Sequence, residues 1–186
     1  MEIVLGRHGR PEVDQSKWIA PRKLGHWIAE FNDGGILIGQ IPRSTSLAAA
    51  RCKIIVASSL RRSHQSAQLL ASSQVVVTAD LIRETGMPHP NWRLPVLPVK
   101  FWLALFRIAW YCGYSHNAES RSEAWMRAKV ATDRLIDMAH AHHSVFVVGH
   151  GIMTTLIARR LLQAGWSGPR RSVNAYWGHH AYRSPT

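Results

Sequence analysis

The sequence predicts an α/β fold: a single domain of three layers, in which a mostly parallel sheet has helices on both faces. Short apolar runs alternate with longer segments of helical periodicity, which is typical of strands joined by crossover helices. Two of these runs, residues 3–5 and 145–148, are each followed by a histidine and a glycine. The 186 residues fit one domain, 1–186, with a full core.

The first half of the chain contains runs of aliphatic and β-branched residues, which predict strands at 2–6, 53–57 and 75–78. Helices are predicted where apolar or small side chains follow helical spacing, at 22–31, 45–51 and 60–72. Thr45 or Ser46 is the expected N-cap of the second helix, and Ser58 with Ser59 that of the third.

The second half begins with an irregular, proline-rich stretch, 79–98. A helix that is apolar nearly all round is predicted at 99–113, a long amphipathic helix at 118–142 and a third helix at 152–164. Ser120 with Glu123 forms the expected capping box of the long helix. A strand at 145–149 precedes the last helix, and an edge strand is expected near 173–178.

The composition indicates a globular protein with an anionic partner. Apolar residues make up 46% of the chain, charged residues 18%, and the net charge is +12. Nucleic acid, an anionic membrane surface or a phosphorylated small molecule would each fit this charge. Cys52 and Cys112 have neither zinc-ligand nor disulfide-framework spacing. We therefore expect a cytoplasmic protein, with no signal peptide, transmembrane segment or metal site.

Two histidines follow strands that are far apart in the chain. His8 lies in Arg7-His8-Gly9 after the first strand, and His150 lies in Gly149-His150-Gly151 after the fourth. Ligands of open parallel sheets bind outside the carboxyl ends of the strands, so both imidazoles are expected at one site. Arg7 adds a fixed positive charge there, and this combination suits a phosphoryl group.

A third motif, Ser58 to Ala67, reads Ser-Ser-Leu-Arg-Arg-Ser-His-Gln-Ser-Ala. With Arg7-His8-Gly9 before it and His150-Gly151 after it, the sequence resembles the histidine phosphatase superfamily, also called phosphoglycerate mutase-like. The resemblance covers nearly the whole chain and aligns the family arginine with Arg62. It implies a phosphoglycerate mutase-like fold and a metal-independent, cofactor-free phosphatase acting on a small phosphorylated substrate.

The resemblance also implies residue roles. His8 would attack phosphorus and become a phosphohistidine, while Arg7, Arg62 and His150 would hold the phosphoryl oxygens. A catalytic carboxylic acid would protonate the leaving oxygen, and Glu84 in Ile82-Arg83-Glu84 is the predicted acid. Glu12 and Asp14, close to His8 in the sequence, remain alternative acids. Helix N-termini after Ser59 and Gly151 are expected to direct free N–H groups at the anion.

The apolar helix at 101–114 belongs to a predicted helical insert at about 95–117. It could be part of the core, cover the active site as a lid, or contact a membrane or partner. In the family, this region commonly shapes substrate choice, so we expect a substrate with an apolar or aromatic portion.

Other functions remain as alternatives. One is phosphoglycerate mutase-type transfer, although mutases of the family are usually longer. A second is a non-catalytic basic protein that binds phospho-ligands or nucleic acid, but the sequence contains none of the usual nucleic-acid-binding motifs. His140, His142 and His143 lie at the predicted end of a helix and His64 and His179-His180 on the surface, so none is expected to bind metal.

Overall fold

The computed structural model describes residues 1–171 and 173–185. Within these residues the strands are β1 (Glu2–Arg7), β2 (Trp18–Ile19), β3 (Ile54–Ala57), β4 (Val75–Thr78), β5 (Leu97–Pro98), β6 (Ser144–Gly149) and β7 (His179–Arg183). The α-helices are α1 (Leu24–Asp33), α2 (Arg43–Ala50), α3 (Arg61–Leu70), α4 (Val99–Tyr111), α5 (Arg121–His142) and α6 (Gly151–Gln163).

The central sheet has the order β4-β3-β6-β1-β7. Strands β4, β3, β6 and β1 are mutually parallel, and β7 runs antiparallel to β1 at the edge. In the register of β1 and β6, Arg7 lies opposite Gly149, so the residues after both strands emerge side by side. The mostly parallel sheet confirms the predicted topology.

Helices cover both faces of this sheet, as predicted. On one face Ile3 and Leu5 pack with residues of α5 and α6. On the other, Val4 and Phe146 pack with residues of α2 and α3. Alternate side chains of a strand point to opposite faces, so a strand buried on both faces is apolar throughout. This explains the continuous apolar runs at β1 and β6.

Two predicted helix caps are wrong. The N-cap of α2 is Pro42, and the Thr45 hydroxyl instead donates to the Trp177 carbonyl at 2.6 Å. The N-cap of α3 is Leu60, without a side-chain cap, and Ser59 donates to Asp80. In both cases the hydroxyl group that was expected to cap the helix forms a hydrogen bond with a residue from a distant segment instead. The capping box of Ser120 and Glu123 at α5 is present as predicted.

The predicted edge strand at 173–178 is also wrong. Trp177 has a φ of +62°, outside the extended region, and the Gly178 N–H closes a turn onto the Ala175 carbonyl. The edge strand is β7, and it contains His179 and His180, which are half-buried rather than on the surface. The tail has aromatic residues but only weak patterning, and its residues Val173 and Trp177 are buried without forming a strand.

A third apolar cluster lies beside the sheet, where α4 packs against α1. Leu24 and Trp27 of α1 contact Val99, Trp102 and Phe106 of α4. The short antiparallel pair of β2 and β5, which the sequence did not predict, leads into α4. In the described part of the chain, no helix combines the length and apolar character needed to cross a membrane.

Candidate active site

The two histidines predicted to share a site lie next to each other at the carboxyl end of the sheet. His8 and His150 are 3% and 0% exposed, and their ring centroids are 5.0 Å apart. Arg62, on α3, is 1% exposed, and its charge acts on both rings. Parallel pairing of β1, β6 and β3 brings the three segments together.

His8 is held with one ring nitrogen fixed. Its Nδ1 lies 2.6 Å from the Gly9 carbonyl oxygen, which can only accept a hydrogen bond. Nδ1 therefore carries the proton, and the lone pair of a neutral ring is on Nε2. Gly9 is anchored in turn, since its N–H donates to Ser66 on α3 at 2.9 Å.

Burial, and then the positive charge of Arg62, lower the pKa of His8 from 6.5 to about 3, against the raising effect of the Gly9 hydrogen bond. Burial and the neighbouring His8 and Arg62 likewise lower the pKa of His150. Both imidazoles are therefore neutral at neutral pH. A neutral imidazole with a free Nε2 lone pair is a competent nucleophile.

His150 is oriented by Ser58. Its Nε2 lies 2.6 Å from the Ser58 hydroxyl, which also accepts the Leu60 N–H. The hydroxyl can donate its own proton to Nε2, which leaves the ring proton of His150 on Nδ1. The sequence suggested Ser58 as a helix cap, but the structure shows it as the partner of His150.

Three buried nitrogen atoms of this cluster have no hydrogen-bond partner in the part of the chain that the structure describes. They are Nε of Arg7, Nε of Arg62 and Nδ1 of His150. Native proteins rarely leave buried donors unpaired. The three donors come from β1, α3 and the β6–α6 junction, so they suit a ligand with several acceptor oxygens.

The two arginines are held by backbone groups and aromatic rings. Arg62 donates to the Phe31 carbonyl at 3.0 Å, and its guanidinium lies 4.4 Å from the centroid of the Phe31 ring. Arg7 donates to the Asn174 carbonyl and stacks over Tyr176 at 4.4 Å. Burial lowers the pKa of Arg62 to about 10, so it still carries its charge at neutral pH.

Arg7 and Arg62 of this cluster line a cavity of about 330 Å³, whereas the buried rings of His8 and His150 lie outside its lining. Its lining includes four arginines, namely Arg7, Arg62, Arg83 and Arg107. Among the described residues that line it, Glu84 is the only carboxylate. The cavity is therefore strongly positive, with one carboxyl group among its described lining residues.

Glu84 occupies the N-terminus of α6. Its carboxylate accepts the N–H groups of Ile152 at 3.3 Å and Met153 at 3.2 Å. The prediction that free N–H groups of α6 would face the anion is therefore wrong for Ile152 and Met153, because their N–H groups donate to Glu84. The same hydrogen bonds fix the carboxylate beside the cavity.

The alternative acids lie elsewhere. Glu12 is exposed and faces a separate cavity formed with Gln65 and Leu69. Asp14 is exposed and accepts the Ser16 hydroxyl at 2.6 Å. It lines an adjoining cavity, which shares Gln15 and Tyr176 with the cavity of Glu84. Neither lines the cavity that contains Glu84.

Arg107, Tyr176 and Arg127 were missed as site residues. Arg107 reaches the cavity from α4 and donates to the Thr85 hydroxyl at 2.9 Å. The ring centroid of Tyr176 lies 5.8 Å from that of His8.

Arg127 pairs with Glu119 and donates to the carbonyls of Leu81 and Arg83, and these contacts hold the segment before Glu84. Only Arg107 had a sequence signal, as a lone charge within an apolar helix.

The other histidines that the sequence analysis considered lie outside the cavity lining. His140, His142 and His143 lie exposed at the end of α5, and His64 is half-buried on α3 outside the cavity lining. No group of three or more histidine, cysteine and acidic side chains suited to a metal occurs in residues 1–171 and 173–185.

The two buried imidazoles are expected to make the fold less stable in acid. Between the ordinary histidine pKa of 6.5 and the value of about 3 for folded His8, the unfolded chain binds more protons. The free energy of unfolding should be highest above pH 6.5 and should fall by about 2 kcal/mol for His8 alone between pH 8 and pH 5. Urea unfolding at a series of pH values, in phosphate-free buffer, measures this fall.

The matched pair for that measurement is His8→Asn and His142→Asn. The first variant removes a buried ring and should flatten the pH dependence, whereas the second removes an exposed ring and should leave it unchanged. Equal slopes for His8→Asn and the wild type would contradict the expectation.

A family model described as histidine phosphatase superfamily (branch 1) matches residues 43–178. No curated protein matches the chain. Among solved structures, a mycobacterial glucosyl-3-phosphoglycerate phosphatase is 20% identical with a TM-score of 0.58, over 87% of this chain and 79% of that one.

Two further structures have the same fold. A putative alpha-ribazole-5'-P phosphatase from Escherichia coli is 19% identical, with a TM-score of 0.59 over 87% of this chain and 79% of its own. A phosphoserine phosphatase mutant from Entamoeba histolytica, solved with phosphoserine, is 16% identical, with a TM-score of 0.62 over 97% and 89%. The structural similarity, with TM-scores of 0.58 to 0.62, shows the phosphoglycerate mutase-like fold, and the family match covers most of the chain. The chain therefore belongs to the histidine phosphatase superfamily.

Proposed function

We propose that this protein is a phosphomonoester hydrolase in which His8 forms a phosphohistidine. The main support is a cavity lined by four arginines and Glu84 next to a buried, neutral His8, whose ring adjoins Tyr176 of the cavity lining and whose Nδ1, not Nε2, is hydrogen-bonded to Gly9. Phosphoryl transfer depends mainly on positioning and on stabilising charge at the phosphoryl oxygens. This arrangement supplies both, together with a nucleophile.

In the first step, His8 Nε2 attacks phosphorus in line with the ester oxygen, and the phosphorus–oxygen bond to the leaving group breaks. Arg7 and Arg62 bind the phosphoryl oxygens through their guanidinium N–H groups, and His150 donates from Nδ1. Glu84 in its acid form gives its proton to the leaving oxygen, so that an alcohol departs.

In the second step, water attacks the phosphohistidine. Glu84, now a carboxylate, accepts a proton from the water as its oxygen bonds to phosphorus. The phosphorus–nitrogen bond breaks, inorganic phosphate leaves, and His8 returns to its neutral state. One carboxyl group thus serves as acid and then as base.

We propose further that the reaction needs no metal ion, since arginines can supply the positive charge that metals supply in other phosphoryl transfer enzymes. The substrate class we propose is a small phosphomonoester with an apolar or aromatic portion, because Phe31 and Leu103 also line the cavity. A cytoplasmic setting is consistent with the exposed free thiol of Cys112.

The test is hydrolysis of p-nitrophenyl phosphate, followed by acid-labile phosphate trapping in a rapid quench. We expect turnover that EDTA does not inhibit and a phosphoenzyme whose phosphate is lost in acid but stable in base. No trapped phosphate during turnover would contradict the covalent step. Turnover that EDTA abolishes would contradict metal independence.

Arg62 and Arg61 provide a matched comparison, since they are adjacent on α3 but only Arg62 is buried at the cavity. We expect Arg62→Lys to lower kcat/KM by about 10²-fold, because an ammonium cannot reproduce the guanidinium fork. Arg61→Lys should leave kcat/KM unchanged. Steady-state kinetics on p-nitrophenyl phosphate gives both values, and equal effects of the two substitutions would contradict a phosphate-binding role for Arg62.

A further inference from the structure

Helix α4 has one buried apolar face and one exposed apolar face. Trp102 and Phe106 are 2% exposed and pack against α1. On the opposite side Phe101, Leu105 and Ile108, at helical spacing, are 50%, 38% and 63% exposed. A surface helix of a globular protein normally directs polar side chains to solvent, so this exposed stripe requires an explanation.

The segment before α4 adds two exposed apolar side chains, one of them next to Phe106 of the buried face of α4. Trp92 and Leu94 are 56% and 73% exposed, and the Trp92 ring lies 6.2 Å from that of Phe106. We call Trp92, Leu94, Phe101, Leu105 and Ile108 together the α4 apolar surface. Single exposed apolar residues are ordinary, but a group of this size, with aromatic members, marks an interaction site.

The charge near this surface is mainly positive, and Asp14, which lines a cavity together with Lys100, is an acidic neighbour from another segment. Residues 85–118 contain no aspartate or glutamate, although they include Arg93, Lys100 and Arg107. Arg93 and Lys100 are exposed, and the chain as a whole has a net charge of +12. The partner of the α4 apolar surface should therefore combine an apolar layer with negative charge.

We propose that the α4 apolar surface docks onto an anionic lipid bilayer. Aromatic and aliphatic side chains of the helix would enter the boundary between headgroups and acyl chains, and Arg93 and Lys100 would contact anionic headgroups. A tryptophan such as Trp92 is well suited to the headgroup level. The interaction is peripheral, and it does not depend on the role proposed for His8.

A second copy of this chain fits the surface less well. Each copy would present Arg93 and Lys100, residues 85–118 offer no carboxylate to pair with them, and Asp14 already lies near Lys100 of its own copy. Two molecules that each carry a net charge of +12 also repel each other. An anionic bilayer supplies the missing charge and the apolar layer together.

Docking by this face is compatible with an open cavity. Leu103 and Arg107 line the cavity from a flank of α4, whereas Phe101 and Ile108 point away from the core. The two functions use different faces of one helix, so substitutions on the outer stripe should not alter the cavity.

The experiment is vesicle sedimentation with phosphatidylcholine alone and with phosphatidylcholine mixed with phosphatidylglycerol. The wild type should partition onto the mixed vesicles and less onto the neutral ones, and added salt should weaken but not abolish binding. The double variant Phe101→Glu/Ile108→Glu should reduce partitioning onto mixed vesicles by at least about tenfold.

The control is Leu47→Glu/Leu69→Glu. Leu47 on α2 and Leu69 on α3 are 53% and 51% exposed, close to the 50% of Phe101, and lie on helices that cover the sheet. This variant adds the same two negative charges. It should partition onto the mixed vesicles nearly as the wild type does, with only the small decrease that the lower net charge causes. Far-ultraviolet circular dichroism and thermal unfolding show whether both variants remain folded.

Three results would overturn the proposal. The wild type could bind mixed vesicles no better than neutral ones, or the two double variants could lose binding equally, which would indicate charge alone. Sedimentation equilibrium could instead reveal a dimer that only Phe101→Glu/Ile108→Glu dissociates, which would assign the surface to a second copy.

Discussion

Replacement of His8 by alanine is expected to lower kcat/KM for p-nitrophenyl phosphate by at least about 10³-fold, because the proposed nucleophile is lost while the charge of Arg7 and Arg62 remains. Phosphate trapping should find no covalent intermediate. Binding of vanadate or inorganic phosphate should persist, since their oxygens would still meet the guanidinium groups. Steady-state kinetics, acid-labile trapping and the thermal shift with vanadate measure these three effects.

The control for this substitution is His64→Ala, which removes an imidazole two residues beyond Arg62 on α3. His64 lies outside the cavity lining, so its loss should leave turnover and trapping unchanged. Because alanine at position 8 removes a buried side chain, its thermal unfolding must be checked beside its kinetics. A folded His8→Ala variant that retains turnover would exclude His8 as the nucleophile.

Glu84→Gln is the second substitution with a large expected effect, and the effect should depend on the leaving group. A substrate with an alkyl leaving group needs its oxygen protonated, so kcat should fall by about 10²- to 10⁴-fold. For p-nitrophenyl phosphate the leaving phenolate is stable without a proton, and formation of the phosphoenzyme should change little. Pre-steady-state kinetics on p-nitrophenyl phosphate and glycerol phosphate separates the two cases.

Glutamine is the informative replacement because it keeps an acceptor oxygen for the N–H groups of Ile152 and Met153. Glu12→Gln and Asp14→Asn are the matched controls, since both remove an exposed carboxylate near His8 in the sequence. Neither control should change the ratio of the rates measured with p-nitrophenyl phosphate and with glycerol phosphate. A ratio altered by Asp14→Asn and not by Glu84→Gln would assign the acid to Asp14.

Much of the parallel sheet was predictable from local patterns. The runs at β1 and β6 are apolar throughout because both faces are covered, and a residue after each strand must lie at the same sheet edge. That rule predicted the proximity of His8 and His150, whose ring centroids are 5.0 Å apart. The order and spacing of three short motifs, in turn, were sufficient for the family resemblance.

Elements that depend on tertiary partners were predicted less well. The hydroxyl groups of Thr45 and Ser59 bind Trp177 and Asp80 rather than their own helices. The segment 173–178 was predicted as an edge strand on weak patterning, yet Trp177 adopts a φ of +62°. The local sequence shows which residues can donate hydrogen bonds and which are apolar. It does not show which distant residue each of them contacts.

The sequence by itself determined the α/β class, the family and the histidines at two strand ends, because these follow from local periodicity and short motifs. Only the tertiary structure decided that Glu84 binds the first turn of α6 and that Arg107 reaches the same cavity from α4. It also decided that α4 exposes an apolar stripe. The physical reason is that such contacts join segments far apart in the chain, and their geometry is fixed by packing of helices that sequence periodicity does not orient relative to one another.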